Sequence, residues 1–338
     1  MIEGPLQGVR ILDLTHVGAG PLGARFLADL GAEVVCIEPP FARGPTEFPE
    51  APLGGFLGGE PGPEPWNNSA LFNKLHRNRR SGCLNLKKPA GRALFLDLVR
   101  EADAVLENFS AGTMSSLGLG FEVLSEANPD LVHLSMPGYG AEGPYSDWLA
   151  FGLTAEAMSG LTQVMGYEEG QTRNSTIALN DPMAATHAAA AVMDALLGGR
   201  GRHIELTLHE VGVSFNGPWL IAEQMGEHAK PLGNAHPNMA PHGVYRCEGE
   251  DAWLAVACSD APMRLRLAAL VGAEDDQGLD AALSTWCSAY PPEVACERLQ
   301  EAGVAAGPVR GPRFLRLQRA DGGSHAGESR AYGRIEQR

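Results

Sequence analysis

Residues 9–38 read VRILDLTHVGAGPLGARFLADLGAEVVCIE. Val9 to Leu14 is a short apolar run suited to a buried strand, Pro21 to Leu30 has helical spacing, and Glu33 to Glu38 is a second apolar run. Strand, helix and strand in this order make a β-α-β unit, which predicts parallel strands in a sheet buried on both faces. The turn from Gly18 to Gly23 is a literal G-x-G-x-x-G, and Glu38 stands at the end of the second strand, as in a dinucleotide-binding fingerprint. Pro21 removes an N–H that would face a pyrophosphate, so this isolated match does not establish such a site.

The same alternation continues. A strand is expected near Gly82 to Leu86, a proline-opened helix from Pro89 to Glu101, a strand from Ala104 to Glu107, a helix near Glu122 to Ala127, and strands at Leu131 to Ser135 and Ile204 to Leu208. Between them, Pro39 to Trp66 holds eight prolines, too many breakers for regular structure. The fold class is therefore α/β: a doubly wound, mostly parallel sheet forming a large domain over 1–212. A linker (213–242) leads to a smaller α+β domain (243–302), which starts with a hairpin from Val244–Cys247 to Trp253–Cys258. Residues 303–338 either return to the large domain or form a poorly ordered tail. In doubly wound sheets ligands sit at the carboxyl ends of strands, where Thr15–His16, Asn108–Phe109 and the loop around Gly138 fall.

The formal net charge is -15. Residues 310–338 carry seven Arg against three acids, leaving 19 basic and 38 acidic residues in the rest. So acidic a body argues against a general nucleic-acid surface or an anionic-membrane binder. Against that background the cluster Lys74, His76, Arg77, Arg79 and Arg80 stands out, either as a solvated turn or as a seat for an anionic ligand such as a phosphate ester. The six cysteines form no C-x-x-C pair and no zinc or disulfide framework, and no metal site is expected. Reduced thiols, the absence of a signal-like N-terminus and the lack of a spanning segment predict a cytoplasmic protein.

Asn180-Asp181-Pro182 precedes an Ala-rich run to Leu197, which places a carboxylate at the mouth of a helix with Pro182 at its first position. Asp181 can be an N-cap, accepting backbone N–H bonds. Equally, it can be a nucleophile kept ionised by the positive end of the helix. Local sequence leaves both readings open.

The chain resembles the family III CoA-transferases, which include formyl-CoA:oxalate and carnitine-type enzymes and the related α-methylacyl-CoA racemases. The resemblance runs from about residue 5 to 309 through DLTHVGAGP (13–21), LADLGAEVVCIEPP (27–40), NRRSGCLNLKKPAGR (78–92), the segment 102–144, AMSG (157–160), NDPMAA (180–185), GNAHPNMAPHGVY (233–245) and AGVAAGPV (302–309). It implies that Asp181 is the catalytic nucleophile, passing through an aspartyl-CoA intermediate. His16, Val17, Gly18, Ala19, Leu84, Lys87, Asn108 and Phe109 are by the same resemblance CoA contacts. Coenzyme A and acyl-CoA are then substrates, with no tightly bound cofactor. The partners implied are an acyl-CoA, a carboxylic acid acceptor and a second copy in an interlocked homodimer. Departures from the family pattern are Pro39 and Ser116 where relatives place an Arg on the nucleotide, for which Arg43, Arg79 or Arg80 could substitute. Gly152 replaces an acidic residue, and Phe151 stands where the racemases carry a catalytic His. The last departure favours CoA transfer over racemisation, because a racemase needs a second acid/base. A CoA-binding but inactive relative is the remaining reading.

Overall fold

The structure is a computed structural model that describes residues 4–40, 55–167, 171–199, 201–273 and 275–311. It divides into two compact units, with the boundary between Pro231 and Leu232. Six strands build the sheet of the first: β1 (Arg10–Asp13), β2 (Glu33–Glu38), β3 (Arg79–Cys83), β4 (Ala104–Glu107), β5 (Val132–Ser135) and β6 (Arg202–Glu205). Every pairing is parallel and the order is β3-β2-β1-β4-β5-β6. This is the doubly wound order, reversing direction between β1 and β4. β4 is buried at all four positions, as an apolar central strand of a parallel sheet should be.

The helices of this unit are α1 (Ala19–Asp29), α2 (Ala70–Leu75), α3 (Pro89–Val99), α4 (Thr113–Ser116), α5 (Phe121–Ala127), α6 (Gly152–Met158), α7 (Leu161–Val164), α8 (Asn180–Leu197), α9 (Leu208–Phe215) and α10 (Gly217–Gln224). One core layer packs α1 and α8 on the sheet through Ala24, Leu27, Ala28, Ala184, Ala188 and Val192, all buried. The opposite layer gathers Phe95, Val99, Leu119 and Leu124 under Leu12 and Val105. The Ala run of α8 is thus a packing surface: small side chains let α1 approach closely, and a Cβ on Gly23 would lie 3.2 Å from the Ala185 carbonyl.

Several boundaries differ from the sequence reading. β3 starts at Arg79 rather than near Gly82, because its ladder with β2 pairs Val34 with Arg79. Residues 213–224, expected as the start of the linker, are helical: α9 and α10 run through them with a break at Asn216. Residues 305–308 do not return to the large sheet; they form β9, described below. Of the Pro39–Trp66 loop, 41–54 lie outside the described residues, as do Arg43 and the tail from 312.

In the second unit β7 (His242–Arg246), β8 (Trp253–Ala257) and β9 (Ala305–Pro308) form an antiparallel sheet with β8 in the centre. Its core, shared with α11 (Ala261–Val271), α12 (Leu279–Ser288) and α13 (Pro292–Glu301), holds Leu254, Leu267, Leu283 and Leu299, with Cys247, Cys258, Cys287 and Cys296 all buried. Burial comes first among the causes that push these four thiols up, which makes them inert packing groups. Among the described residues no helix is long and apolar enough to cross a membrane.

Candidate active site

The carboxyl ends of β1 and β4 meet where the sheet reverses, and two cavities open there. Asp13, the last residue of β1, is fully buried and accepts both the N–H (2.9 Å) and the Oγ1 hydroxyl (2.5 Å) of Thr15, as well as the guanidinium of Arg79. Arg79 also donates to the carbonyls of Pro21 and Leu75. Arg79 is therefore a buried staple and not the nucleotide-gripping cation suggested above. Arg77 and Arg80 are likewise paired, to Asp29 and Glu33. What resembled a free basic patch is largely neutralised by acids that the fold brings across from α1 and β2.

After β4, Asn108 clasps the backbone of His16, accepting its N–H (2.9 Å) and donating to its carbonyl (2.7 Å). The two strand-end loops are locked together, and the His16 and Phe109 rings lie 5.1 Å apart. Val17 follows with φ 71°, a left-handed conformation that is strained for a β-branched side chain. That turn swings Gly18 under Asp181.

His16 borders both cavities. One, of about 210 Å³, is an apolar slot between Ile37, Leu84, Leu86, Leu117 and Phe109, with Lys87 at its edge. Its wall carries Phe72 stacked on His76, rings 4.5 Å apart at 14°. Burial, and secondarily the Arg79 charge, pushes His76 down to about 3, so this stacked ring is neutral at physiological pH. The other cavity, of about 330 Å³, is lined by Val17, Gly18, Ala19, Asn108, Gly138, Phe151, Gly152 and Asp181. The nine site residues anticipated from sequence thus fall into two adjoining groups: Leu84, Lys87 and Phe109 around the slot, Val17, Gly18, Ala19, Asn108 and Asp181 around the second cavity, and His16 between them.

Asp181 is not the N-cap of α8. The helix begins two residues earlier than expected, at Asn180; Leu179 takes the cap position, and no side chain of that position caps it. Among the described residues no hydrogen bond or ion pair reaches the Asp181 carboxylate. Its oxygens lie instead against two glycines. A Cβ on Gly18 would overlap Oδ2, and one on Gly152 would lie 2.6 Å from Oδ1. α1 begins just after Gly18, α6 at Gly152 and α8 at Asn180, so three helices start beside this carboxylate. Burial nevertheless dominates and pushes Asp181 up to about 6, rather than the helix end holding it low.

Sequence reasoning missed Glu156. Fully buried on α6, it accepts the N–H of Ser175 (2.7 Å), the N–H of Leu179 (2.8 Å) and the Ser175 hydroxyl. The missed signal was an acid amid apolar neighbours in TAEAMSG, where burial demands partners. The glycine fingerprint also has its explanation. Gly18 makes room for Asp181, a Cβ on Gly20 would strike Thr15, and Gly23 admits α8, so all three serve close approach within the protein.

The site is thus a carboxylate, unbonded among the described residues, at the switch point of a doubly wound α/β sheet, beside an aromatic-walled slot. The chain belongs to CoA-transferase family III, whose profile matches residues 6–321. Among curated proteins it is 30% identical over 91% of its length to the acetyl-CoA:oxalate CoA-transferase of Acetobacter aceti, covering 81% of that protein. It is 33% identical over 79% of its length to the succinate–glutarate CoA-transferase of Agrobacterium fabrum, covering 66% of it. Among solved structures, a CAIB/BAIF family protein from Brucella suis superposes with a TM-score of 0.81 at 27% identity, covering 94% of this chain and 86% of that one.

Proposed function

We propose that this protein moves CoA from an acyl-CoA thioester to a carboxylic acid, with Asp181 as the nucleophile. The observation that carries this reading is the Asp181 carboxylate, unbonded among the described residues and lining a cavity that adjoins, at His16, an apolar slot walled by the stacked Phe72 and His76 rings. An adenine between Phe72–His76 and the apolar wall, with phosphate near Lys87, would leave the pantetheine arm to pass His16 and deliver its thioester to Asp181. Binding energy at the remote nucleotide end then holds the reacting atoms together.

In the sequence of steps, an Asp181 oxygen attacks the thioester carbon, the C–S bond breaks, and an aspartyl mixed anhydride forms with CoA thiolate as leaving group. The thiolate attacks the Asp181 carbonyl of the anhydride and expels the donor acid, leaving an aspartyl-CoA thioester. The acceptor carboxylate displaces CoA to form a new anhydride, and the thiolate attacks the acceptor carbonyl, releasing acyl-CoA and regenerating Asp181. Charge developing on the thioester oxygen would be met by N–H groups at the start of α1, near Gly18 and Ala19. A carboxylate with a pKa of about 6 suits the role, since it is largely ionised at pH 7 yet more basic than a solvated one.

Racemisation is the weaker reading: apart from Asp181, the titratable side chain lining this cavity among the described residues is His16, and Phe151 supplies no proton. Deuterium wash-in at the α-carbon without CoA exchange between acids would reverse that preference. A homodimer is part of the proposal, supported by α10, which buries no residue in the single chain and exposes Trp219, Leu220 and Ile221. Sedimentation analysis checks it. The covalent step is tested by incubating the protein with acetyl-, succinyl-, glutaryl- and malonyl-CoA, trapping with hydroxylamine and seeking a hydroxamate at Asp181 by mass spectrometry. Unmodified protein with every donor, or exchange activity surviving in Asp181→Ala, would overturn the reading.

A further inference from the structure

We infer that Glu156 is a positioning residue for Asp181: it holds the Leu179 N–H at the mouth of α8, and Ser175 on the approach to it, so that the nucleophile's oxygens stay unbonded and aimed into the cavity. The inference rests on reading Asp181 as the nucleophile. Three helices are capped by their own N-cap side chain: Ser69 accepts from Phe72 N–H, Thr207 from Glu210 N–H and Asp260 from Met263 N–H. α8 has no such cap, and a carboxylate from another helix stands at its start. Its own acid, Asp181, sits in the first turn and does not cap, while a carboxylate from α6, fully shielded from solvent, is brought in to do so.

Burying a carboxylate is costly unless donors converge on it. Three converge here, from Ser175 and Leu179. Their consequence reaches Asp181 through two short links. Leu179 N–H is pinned to Glu156, and Asp181 N–H bonds to the carbonyl of Ala178 (2.9 Å), which is itself held at φ 49°. The other side of the mouth is fixed by Asn180, whose Nδ2 donates to the Leu208 carbonyl (2.9 Å). With Glu156 truncated, Ser175 N–H loses its acceptor and Leu179 N–H keeps only the Ser175 hydroxyl (3.0 Å), which leaves the mouth of α8 open to capping by Asp181. An Asp181 turned back to cap its own helix would be a poor nucleophile and would point away from the substrate.

The experiment compares Glu156→Ala and Glu156→Gln with wild type in the full-length protein. It measures the rate of hydroxylamine-trapped modification at Asp181 with succinyl-CoA and acetyl-CoA, the steady-state kcat and KM, and the folded fraction by circular dichroism. Glu156→Ala is expected to slow trapping and kcat by about tenfold or more while KM for the acyl-CoA stays within about twofold, since substrate contacts are untouched. Glu156→Gln, whose amide oxygen can still accept Leu179 N–H, is expected to recover most of the rate. If Glu156→Ala does not fold, Glu156→Asp gives the same reading: it keeps the charge but withdraws the oxygens by one methylene, so kcat should fall and KM should not. A folded truncated variant that reacts within about twofold of wild type, or a KM that rises as steeply as kcat falls, overturns the inference while leaving Asp181 as nucleophile. Failure of wild type to trap with any donor overturns the nucleophile assignment and this inference with it.

Discussion

As the proposed nucleophile, Asp181 carries two predictions. Its acid form is favoured by burial, so activity that needs the ionised carboxylate should rise with pH through about 6 and level off above it, a limb to be read from the pH dependence of kcat/KM. Stability has the opposite slope. Because the folded chain holds this proton more tightly than the unfolded chain, the ionised form opposes folding above about pH 6, and that penalty disappears as pH falls towards the unfolded value near 4. Asp181→Asn should therefore abolish transfer yet gain about 1–3 kcal/mol in denaturant unfolding at pH 8, with no gain at pH 4. A variant that loses stability at pH 8 would contradict the burial argument. At this scale the sequence exposed the candidate and left its state undecided: NDP allows both a cap and a nucleophile, because what lies opposite the carboxylate is set by residues 18 and 152.

The elements that frame the site are held by one buried pair. Asp13 at the end of β1 and Arg79 at the start of β3 join strands with β2 between them, and Arg79 reaches the first turn of α1 as well. Removing the guanidinium leaves a carboxylate without its charge partner in the core. Arg79→Ala should cost about 3–5 kcal/mol, measured as a lower denaturation midpoint at unchanged slope. Loss below about 1 kcal/mol would show the pair to be dispensable. Element types were legible wherever period and length agreed, as in β2, which is found as expected from Glu33 to Glu38, and β4, from Ala104 to Glu107. The break at Asn216 was not. Asn216 is buried and donates to the Ser159 carbonyl (2.6 Å), a tertiary bond that ends α9 where periodicity would have carried the helix on.

For the whole molecule the proposed reading separates recognition from chemistry and joins them at His16. On that reading acyl-pantetheine, which lacks the nucleotide, leaves the Phe72–His76 slot empty, so it should lose kcat as well as affinity, by about tenfold or more relative to the matching acyl-CoA. Equal kcat for the two donors would mean that the slot contributes nothing to the reaction. The sequence by itself determined the alternation of strands and helices, hence the parallel α/β class, and the strand ends at which a ligand would sit. Hydrophobic period is a local property, and a β-α-β crossover has a strongly preferred hand. Only the tertiary structure decided which charges are spent on each other, why the glycines at 18, 20 and 23 are glycines, and that the Leu179 N–H at the start of α8 goes to Glu156 and not to Asp181. Each of those depends on which residues far apart in the chain come within a few ångströms, and local sequence does not encode that distance.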